Sequence, residues 1–260
     1  MGCEFTLNHF AETIEQVKRR FTLLTFKDSS ERDEDTGSVI FLRHDVDHSI
    51  EDAVTLAEVE KARGVCATYF VQLHCPFYTA MDVRGQRCLQ AMRAMGHEVG
   101  FHYDVSYYTA TGRDVVSSFK EDLTLLGELV GEEIVSISRH DPAAESIGAD
   151  TLRQINAAVP YNAYADEFFK DIKYISDSTC HWRSGCWCQH LKEPTDMQIV
   201  IHPVWWVNDA PEWQEKLRQS CRRSMNRYSA GIEEVIDCYQ TCLRERAERD
   251  KLFQLYNPSD

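Results

Sequence analysis

The sequence predicts a single α/β domain, a distorted (β/α)7-type barrel of parallel strands, and three observations predict it. Short, nearly continuous apolar runs, which are typical of strands buried on both faces, alternate with longer amphipathic stretches. About seven such strand–helix units can be counted, which favours an open or distorted barrel. No Pro/Gly-rich linker or internal repeat divides the 260 residues. We therefore expect one domain over residues 1–260, with a mainly helical region at about residues 211–250.

The strands are predicted from apolar runs of strand length, at residues 39–42, 66–73, 98–102, 133–138, 161–163, 173–176 and 197–201. The helices are predicted from apolar residues at helical spacing, at residues 49–63, 83–95, 114–130, 147–158 and 213–249, the last in two segments broken near residues 229–231. Ser49 is the expected N-cap of the first helix, and Gly64 and Gly96 end the first and second. The charged segment 27–37 is predicted to be a surface loop.

Charge and hydropathy exclude some partners. The formal net charge is −14, whereas nucleic acids and anionic membranes bind clustered Lys and Arg. No apolar stretch approaches the roughly 20 residues that span a bilayer. Residues 1–10 lack the basic start and apolar run of a signal peptide. We therefore expect a cytoplasmic protein with no nucleic-acid partner and no membrane span.

Ten cysteines are scattered along the chain, and several lie inside apolar runs. Without a signal peptide this pattern is typical of reduced thiols buried as small hydrophobic side chains. A structural zinc is worth considering at one place only, the cluster of Cys180, His181, Cys186, Cys188 and His190. That cluster lacks the paired C-x-x-C spacing that makes such an interpretation strong.

Polar side chains end four of the predicted strands, where a barrel of this type gathers its functional groups. They are Asp45 and Asp47 after the first strand, His102 and Asp104 after the third, Arg139 and His140 after the fourth, and His202 after the last. A single histidine after a strand is usually a hydrogen-bonded loop residue. Its recurrence at several strands indicates a metal or acid–base site.

The residue types suit metal-assisted hydrolysis. Two aspartates separated by one residue, Asp45 and Asp47, can divide the work, one binding a cation and the other accepting a proton. Neutral imidazoles from other strands suit Zn²⁺ or a similar divalent ion. Such an ion lowers the pKa of bound water and polarises a carbonyl. A further histidine can protonate the leaving group.

The order of these motifs resembles that of the polysaccharide-deacetylase (NodB homology) family, carbohydrate esterase family 4, from about residue 39 to residue 202. The acidic pair of the family stands here at residues 43–47, and its Gly-His-Glu-Ile-Gly-x-His motif is closely matched at residues 96–102. Arg139 and Pro142 match its third motif, and residues 200–202 match its last, Leu-x-His-like motif.

The resemblance implies the barrel fold of that family and the removal of an N- or O-acetyl group from a sugar. It implies Asp45 as the catalytic base, Arg139 as the residue that orients this base, and His202 as the general acid. Asp47 and His102 would bind a divalent metal, with zinc expected.

This sequence departs from the family at one ligand. Ser106 stands four residues after His102, where the family has a further histidine. His140 is our candidate for the third ligand, and Asp104 is the runner-up. The motifs at residues 43–47, 174–178 and 202–206 resemble a divergent intracellular branch associated with bacterial surface-polysaccharide synthesis. This branch implies a sugar or nucleotide-sugar substrate, not a finished polymer.

Two alternatives stay open at this point. One is another metal-dependent barrel hydrolase acting on a phosphoester or a non-sugar amide, because such acid–base groups do not specify the bond. The other is a sugar-binding relative without turnover. His97 is expected to face the interior, and His44 and His48 are expected to support the acidic pair. The aromatic residues at 161–169 and 205–206 suit a sugar site or the core equally.

Overall fold

The computed structural model of the protein describes residues 3–33, 35–144 and 146–256. Eight strands form one sheet: β1 Thr22–Leu24, β2 Val39–Val46, β3 Thr68–Val71, β4 Glu98–Tyr103, β5 Ser136–Arg139, β6 Tyr161–Asn162, β7 Lys173–Ser176 and β8 Met197–Ile201. The α-helices within the described residues are α1 Leu7–Val17, α2 Ile50–Lys61, α3 Val83–Ala94, α4 Val105–Ala110, α5 Val115–Val130, α6 Ala149–Asn156, α7 Asp166–Phe169, α8 Pro203–Val207 and α9 Trp213–Tyr256.

The sheet follows the order β6-β5-β4-β3-β2-β8-β7, and β1 pairs with the first residues of β2. Every pair of strands is parallel. The seven strands of this path form a curled half barrel, so the predicted fold class, a distorted (β/α)7-type barrel, is confirmed. Parallel pairing brings the carboxyl ends of β2, β3, β4, β5 and β8 to one edge, which is where the polar motifs lie.

Strand β2 shows how the two faces differ. Side chains alternate between the faces of a strand, and β2 is buried along its whole length. Its even-numbered apolar residues belong to the large core between the sheet and the helices. Its odd-numbered apolar residues belong to a smaller inner cluster, which comprises Phe26, Val39, Phe41, Phe70, Ala163 and Phe168. The next odd-numbered residues, Arg43 and Asp45, therefore lie above an apolar floor on the inner face.

The motif at residues 96–102 has a structural reason at each position. Gly96 turns the chain with φ +95°, a conformation that favours glycine. His97 faces the outer core, where it accepts from the N–H of Ala67 and donates to the carbonyl oxygen of Ala57, as expected of an interior histidine. A Cβ at Gly100 would lie 2.5 Å from the Phe70 ring, so the inner face requires glycine there. His102 follows on the same face at the strand end.

The chain divides into two units, Met1–Leu217 and Arg218–Asp260. The first contains the sheet and the helices from α1 to α8. In its described part, the second is the remainder of α9, with exposed apolar side chains that include Met225, Ile232, Val235, Tyr239 and Leu243. No helix of the described residues is long and apolar enough to cross a membrane.

One prediction about helices is wrong. We expected a break near residues 229–231, but α9 runs without interruption from Trp213 to Tyr256. A Cβ at Gly231 would meet nothing within 4 Å. A single glycine in an exposed helix costs only about 1 kcal/mol relative to alanine, and the helix-forming residues around it outweigh that cost.

Candidate active site at the strand ends

Three predicted ligands converge at the carboxyl edge of the sheet. Asp47 follows β2, His102 lies near the end of β4, and His140 follows β5. The Nε2 atom of His102 lies 3.2 Å from Oδ1 of Asp47, and Nδ1 of His140 lies 3.4 Å from the same oxygen. The two ring nitrogens are 3.4 Å apart. One carboxylate oxygen and two imidazole nitrogens therefore form a nearly equilateral triangle.

This triangle fits a divalent metal. Ligand atoms about 2.0–2.1 Å from a tetrahedral zinc are separated by roughly 3.4 Å. The carbonyl oxygen of Ser138 can only accept, so Nδ1 of His102 must donate to it at 3.0 Å. The neutral ring then presents the lone pair of Nε2 to the site, and an outer hydrogen bond of this kind typically orients a ligating histidine. Asp47, His102 and His140 are thus the described residues at this edge that can together hold a metal.

The runner-up for the third ligand has another partner. Asp104 is the N-cap of α4, and its carboxylate accepts from the backbone N–H of Ser106 at 2.9 Å. An oxygen in this position satisfies a free N–H of the first helical turn. The geometry favours His140 over Asp104 as the third ligand, and Ser106 contributes to a helix start instead.

Asp45 is tightly bound to Arg43 on the same strand. Nε of Arg43 donates to Oδ1 of Asp45 at 2.8 Å, and a terminal nitrogen donates to Oδ2 at 2.7 Å. Burial opposes ionisation of the Asp45 carboxyl, but the charge and hydrogen bonds of Arg43 outweigh it and hold the pKa of Asp45 below the usual range. Oδ2 of Asp45 also lies 3.7 Å from Nε2 of His102. A fixed carboxylate therefore stands beside the metal-type ligands.

The contact expected of Arg139 is made by Arg43. Residues two apart on a strand share a face, which allows the fork of Arg43 to bind both oxygens of Asp45. Arg139 is the last residue of β5, where it pairs in register with Tyr103. Its charge lowers the pKa of Tyr103, although burial outweighs it and raises that pKa to about 12. The motif comparison missed Arg43, which the strand period could have revealed.

Arg43 is itself held from several sides. Its guanidinium donates to Oε1 of Gln198 on β8 at 2.8 Å and to the hydroxyl of Tyr164 at 3.1 Å. The same group lies 5.5 Å from the centre of the Phe70 ring and is fully buried. Gln198 in turn donates to the carbonyl oxygens of Ala163 and Phe168. A buried charge with this many partners is rigid, so Asp45 has little freedom to turn.

His202 is paired with Asp177, which follows β7. Nδ1 of His202 lies 2.6 Å from Oδ1 of Asp177, and the backbone N–H of His202 donates to the same carboxylate. Nε1 of Trp206 donates to the other oxygen at 2.7 Å. Burial lowers the pKa of His202, but Asp177, Asp47 and Asp45 outweigh it and raise that pKa to about 9. Nε2 of His202 is left facing the site, 3.5 Å from Oδ2 of Asp47.

Gln72 is a further residue that the sequence interpretation missed. It follows β3, and its Nε2 donates to Oδ1 of Asp47 at 2.9 Å and lies 3.3 Å from Nδ1 of His140. Asp177 stands in the motif at residues 174–178, but the sequence interpretation gave it no role in the site. It directly follows the predicted strand at residues 173–176, so the strand-end rule was sufficient to find it. Gln72 lies inside the predicted strand at residues 66–73 and follows the observed β3, which ends at Val71, so that rule could not find it. Histidines and the motif aspartates carried the predicted site, so an amide and a later carboxylate were not part of it.

The two flanking histidines point elsewhere. His44 lies on the outer face of β2, where its Nε2 is 2.7 Å from Glu60 and its ring stacks on Tyr69. His48 stacks on Phe77 with ring centres 5.2 Å apart, and its ring centre lies 5.7 Å from that of Trp205. His44 therefore supports the core and not the acidic pair. Trp205 and Trp206 are both buried, so they belong to the packing and do not form an open sugar surface.

Taken together, the three candidate metal-ligand atoms lie close to two further groups. One is the fixed carboxylate of Asp45, and the other is the imidazole of His202, whose pKa is raised. Asp45 is ionised beside the ligands, and His202 can carry a proton near neutral pH. This arrangement can remove a proton on one side of a reacting carbonyl and deliver one on the other.

Comparison with known proteins gives structural likenesses only, since no protein-family model and no curated protein matches the sequence. A mutant CE4 family pseudoenzyme with restored enzymatic activity is similar at 11% identity and TM-score 0.43, and the match covers 72% of this chain and 64% of that one. This chain therefore spans less than two thirds of the length of the pseudoenzyme. A family 4 carbohydrate esterase from Bacillus anthracis is similar at 15% identity and TM-score 0.44, over 83% and 86% of the two chains. The chitin deacetylase from the fungal pathogen Colletotrichum lindemuthianum is similar at 14% identity and TM-score 0.42, over 72% and 82%.

Proposed function

We propose that the protein is a metal-dependent hydrolase that removes an acyl group, with acetyl as the first candidate, from an amide on a sugar or nucleotide-sugar used in surface-polysaccharide synthesis. One observation carries this proposal. Three candidate metal ligands lie beside two anchored acid–base groups. The ligands are Asp47, His102 and His140, and the acid–base groups are Asp45 and His202. The sugar and its biosynthetic setting come from the motif resemblance described above.

Asp47, His102 and His140 would hold the metal, with zinc expected from two imidazoles and one carboxylate. When bound, a divalent metal would lower the pKa of a water molecule and polarise the acyl carbonyl. Three protein ligands leave a position for water or substrate, which is typical of catalytic rather than structural zinc sites.

Asp45 is assigned as the general base. Its carboxylate is ionised, is close to the ligands and is fixed by the two hydrogen bonds from Arg43. It would take a proton from the attacking water, and the guanidinium of Arg43 would hold its orientation during the reaction. We therefore assign the orienting role to Arg43, and the role of Arg139 stays a prediction for mutagenesis.

His202 is assigned as the general acid. Although burial lowers its pKa, Asp177, Asp47 and Asp45 raise it to about 9, which favours the protonated ring at neutral pH, and Asp177 fixes which nitrogen faces the site. Nε2 would donate its proton to the amide nitrogen as the C–N bond breaks, which releases an amine and a carboxylic acid. An amine leaves poorly without a proton, so this step needs an acid in position.

Two aromatic side chains near the site are open to solvent. Phe77 is 48% exposed and stacks on His48, the residue after Asp47. Phe169 is 37% exposed and packs edge-on against Tyr164, whose hydroxyl binds Arg43. Flat exposed rings of this kind suit the apolar face of a sugar, and they replace the buried Trp205 and Trp206 as candidates for that contact.

The test is acetate release by the zinc-loaded protein from a panel of N-acetylated amino sugars and their nucleotide-linked forms. An O-acetylated sugar, an acetylated lysine peptide and a phosphomonoester complete the panel. We expect turnover on an N-acetylated sugar or nucleotide-sugar and its loss in Asp45→Asn. Turnover restricted to the phosphomonoester or the peptide would refute the proposal, and so would saturable sugar binding with no acetate release.

A further inference from the structure

A second group of metal-type ligands lies away from the strand-end site. It comprises Cys3, His9, Cys186 and Cys188, and one ligand atom from each lies within 4.8 Å of all the others. The Sγ atoms of Cys3 and Cys188 are 3.5 Å apart. Nε2 of His9 lies 3.3 Å from Sγ of Cys186. Three sulfurs and one imidazole nitrogen therefore point at one another from two distant parts of the chain.

These separations are those of a tetrahedral zinc centre. With Zn–S near 2.3 Å and Zn–N near 2.0–2.1 Å, tetrahedral geometry places two sulfurs about 3.8 Å apart and a sulfur and a nitrogen about 3.5 Å apart. The two distances given above are each shorter by about 0.2–0.3 Å, so a small outward movement makes room for the ion. Three cysteines and one histidine are a common ligand set of closed structural zinc sites.

Local structure places three of the four ligands, His9, Cys186 and Cys188. Thr6 is the N-cap of α1, and its hydroxyl accepts from the backbone N–H of His9, which fixes the start of the helix. Gly185 takes a left-handed turn with φ +85°. The turn leads into a short 3₁₀ helix, Trp187–His190, whose preceding residue is Cys186. A side chain is strained at this positive φ whatever the space around it, so the turn before the two cysteines favours glycine.

The surroundings support a fixed centre. Nε2 of Gln189 donates to Sγ of Cys3 at 3.4 Å, the kind of outer contact that stabilises a ligating sulfur. The ring of Trp206 lies against both His9 and Phe5, and Phe5 stacks on Trp182. Aromatic packing thus holds the N-terminal segment against the connection between β7 and β8, with the four ligand atoms between them.

Disulfide formation and simple core packing explain the cluster less well. A disulfide has an S–S distance of about 2.05 Å, well below the 3.5 Å between Cys3 and Cys188. Thiols buried as small hydrophobic groups have no reason to gather with the ring nitrogen of a histidine. Of the residues that the sequence singled out, Cys186 and Cys188 join this group. His190 instead binds Lys173 and the carbonyl oxygen of Ser184.

We propose that Cys3, His9, Cys186 and Cys188 bind a structural zinc ion that joins the N-terminal segment to the β7–β8 connection. Binding replaces the three thiol protons, which are released to solvent, and leaves the imidazole neutral. The ion would also steady the strand-end site, because Trp206 contacts His9 on one side and donates to Asp177 on the other. This zinc is separate from the catalytic metal and takes no part in hydrolysis.

Cobalt substitution tests the site without any activity assay. Thiolate ligands give Co²⁺ a charge-transfer band in the near ultraviolet, whereas the carboxylate and imidazoles of the strand-end site do not. We expect the full-length protein loaded with Co²⁺ to show this band. Cys186→Ser and Cys188→Ser should lose most of it, and His9→Cys should keep the metal and strengthen the band by one more thiolate.

Two controls make the result specific. Cys242→Ser removes an exposed thiol on α9, and Cys75→Ser removes a thiol that donates to the backbone oxygen of Asp47 beside the strand-end site. Both should retain the band. The proposal is overturned if the reduced wild-type protein shows no band, or if Cys75→Ser alone abolishes it. It also fails if His9→Cys binds cobalt without a stronger band, since His9 would then lie outside the centre.

Discussion

The strand-end site and the thiolate site, meaning the group of Cys3, His9, Cys186 and Cys188, differ in how the fold builds them. In the first, the proposed ligands stand at the ends of parallel strands. They offer three oxygen and nitrogen atoms, and the His140 side chain is about a third exposed at 32%. The second takes four ligands, three of them sulfur, from a chain terminus and an irregular connection. An incomplete ligand set leaves room for substrate, whereas a complete thiolate set leaves none.

The difference teaches what each part of the fold contributes. Strand ends of a parallel sheet are held by the whole ladder of hydrogen bonds, so they can carry groups that must stay in register during a reaction. The N-terminal segment lies outside the sheet and gains its position from packing, from side-chain hydrogen bonds such as that of Lys216 to the carbonyl oxygen of Phe5 and, by our inference, from a metal. Damage to the strand-end site should therefore leave metal binding at the thiolate site intact, and the prediction for His140→Ala tests that separation.

The largest effect is expected for Asp45→Asn. The substitution keeps the shape of the side chain but removes its basic oxygen, so activity should fall by roughly 10²–10⁴-fold, as for loss of a positioned acid–base group. Metal at the strand-end site should be retained, because Asp47, His102 and His140 are unchanged. Steady-state acetate release together with metal analysis measures both. Parallel loss of metal and activity would make Asp45 a ligand and would contradict its assignment as base.

The second largest effect is expected for Arg43→Met. It leaves Asp45 and Gln198 without their buried partner, and breaking a buried ion pair costs about 3–5 kcal/mol of unfolding free energy. The double variant Arg43→Met/Asp45→Asn should recover part of this loss, because the uncompensated charge is gone. Urea unfolding of the metal-loaded proteins gives the comparison. Arg139→Met is the matched control, and a larger effect on activity from Arg139→Met than from Arg43→Met would return the orienting role to Arg139.

Sequence reasoning reached the strand-end site because its rules are regular. Parallel strands end at one edge, so Asp47, His102 and His140 could be brought together before any coordinates. Arg43 was within reach too, since the period of two places it on the face of Asp45, but a motif match directed attention to Arg139. The motif carried a role from a family position, whereas the strand period followed from the geometry of this chain.

The thiolate site could not be found in that way. Cys3 and Cys188 are separated by 185 residues, and no periodic pattern relates a chain terminus to a loop. The sequence cluster near Cys186 looked incomplete because half of the ligand set stands at the other end of the chain. Spacing rules for zinc describe local pairs of ligands, so they fail when the centre joins remote segments.

His140→Ala should separate the two sites directly. The strand-end site keeps only Asp47 and His102, so its metal affinity should fall by more than the roughly 10–100-fold that loss of an outer-shell partner costs. The cobalt–thiolate band should be unchanged, which also reports that the variant is folded. Metal titration at fixed pH measures the first expectation and absorbance the second. Unchanged affinity at the strand-end site would exclude His140 as a ligand and return Asp104 to consideration.

The smallest effect is expected for Asp177→Asn, and it tests the acid. His202 must be protonated to act, so activity should fall as pH rises through its pKa, which Asp177 helps to raise to about 9. Removal of that negative charge lowers the pKa, and the alkaline limb should move to lower pH by roughly 1–3 units, the range for losing a neighbouring opposite charge. A bound metal also lowers the pKa of His202, so both proteins must be compared fully loaded. Asp122→Asn, which changes another buried carboxylate paired with a histidine, is the control. If the alkaline limb stays where it is in Asp177→Asn, the group that titrates there is not His202, and the assignment of His202 as the acid fails.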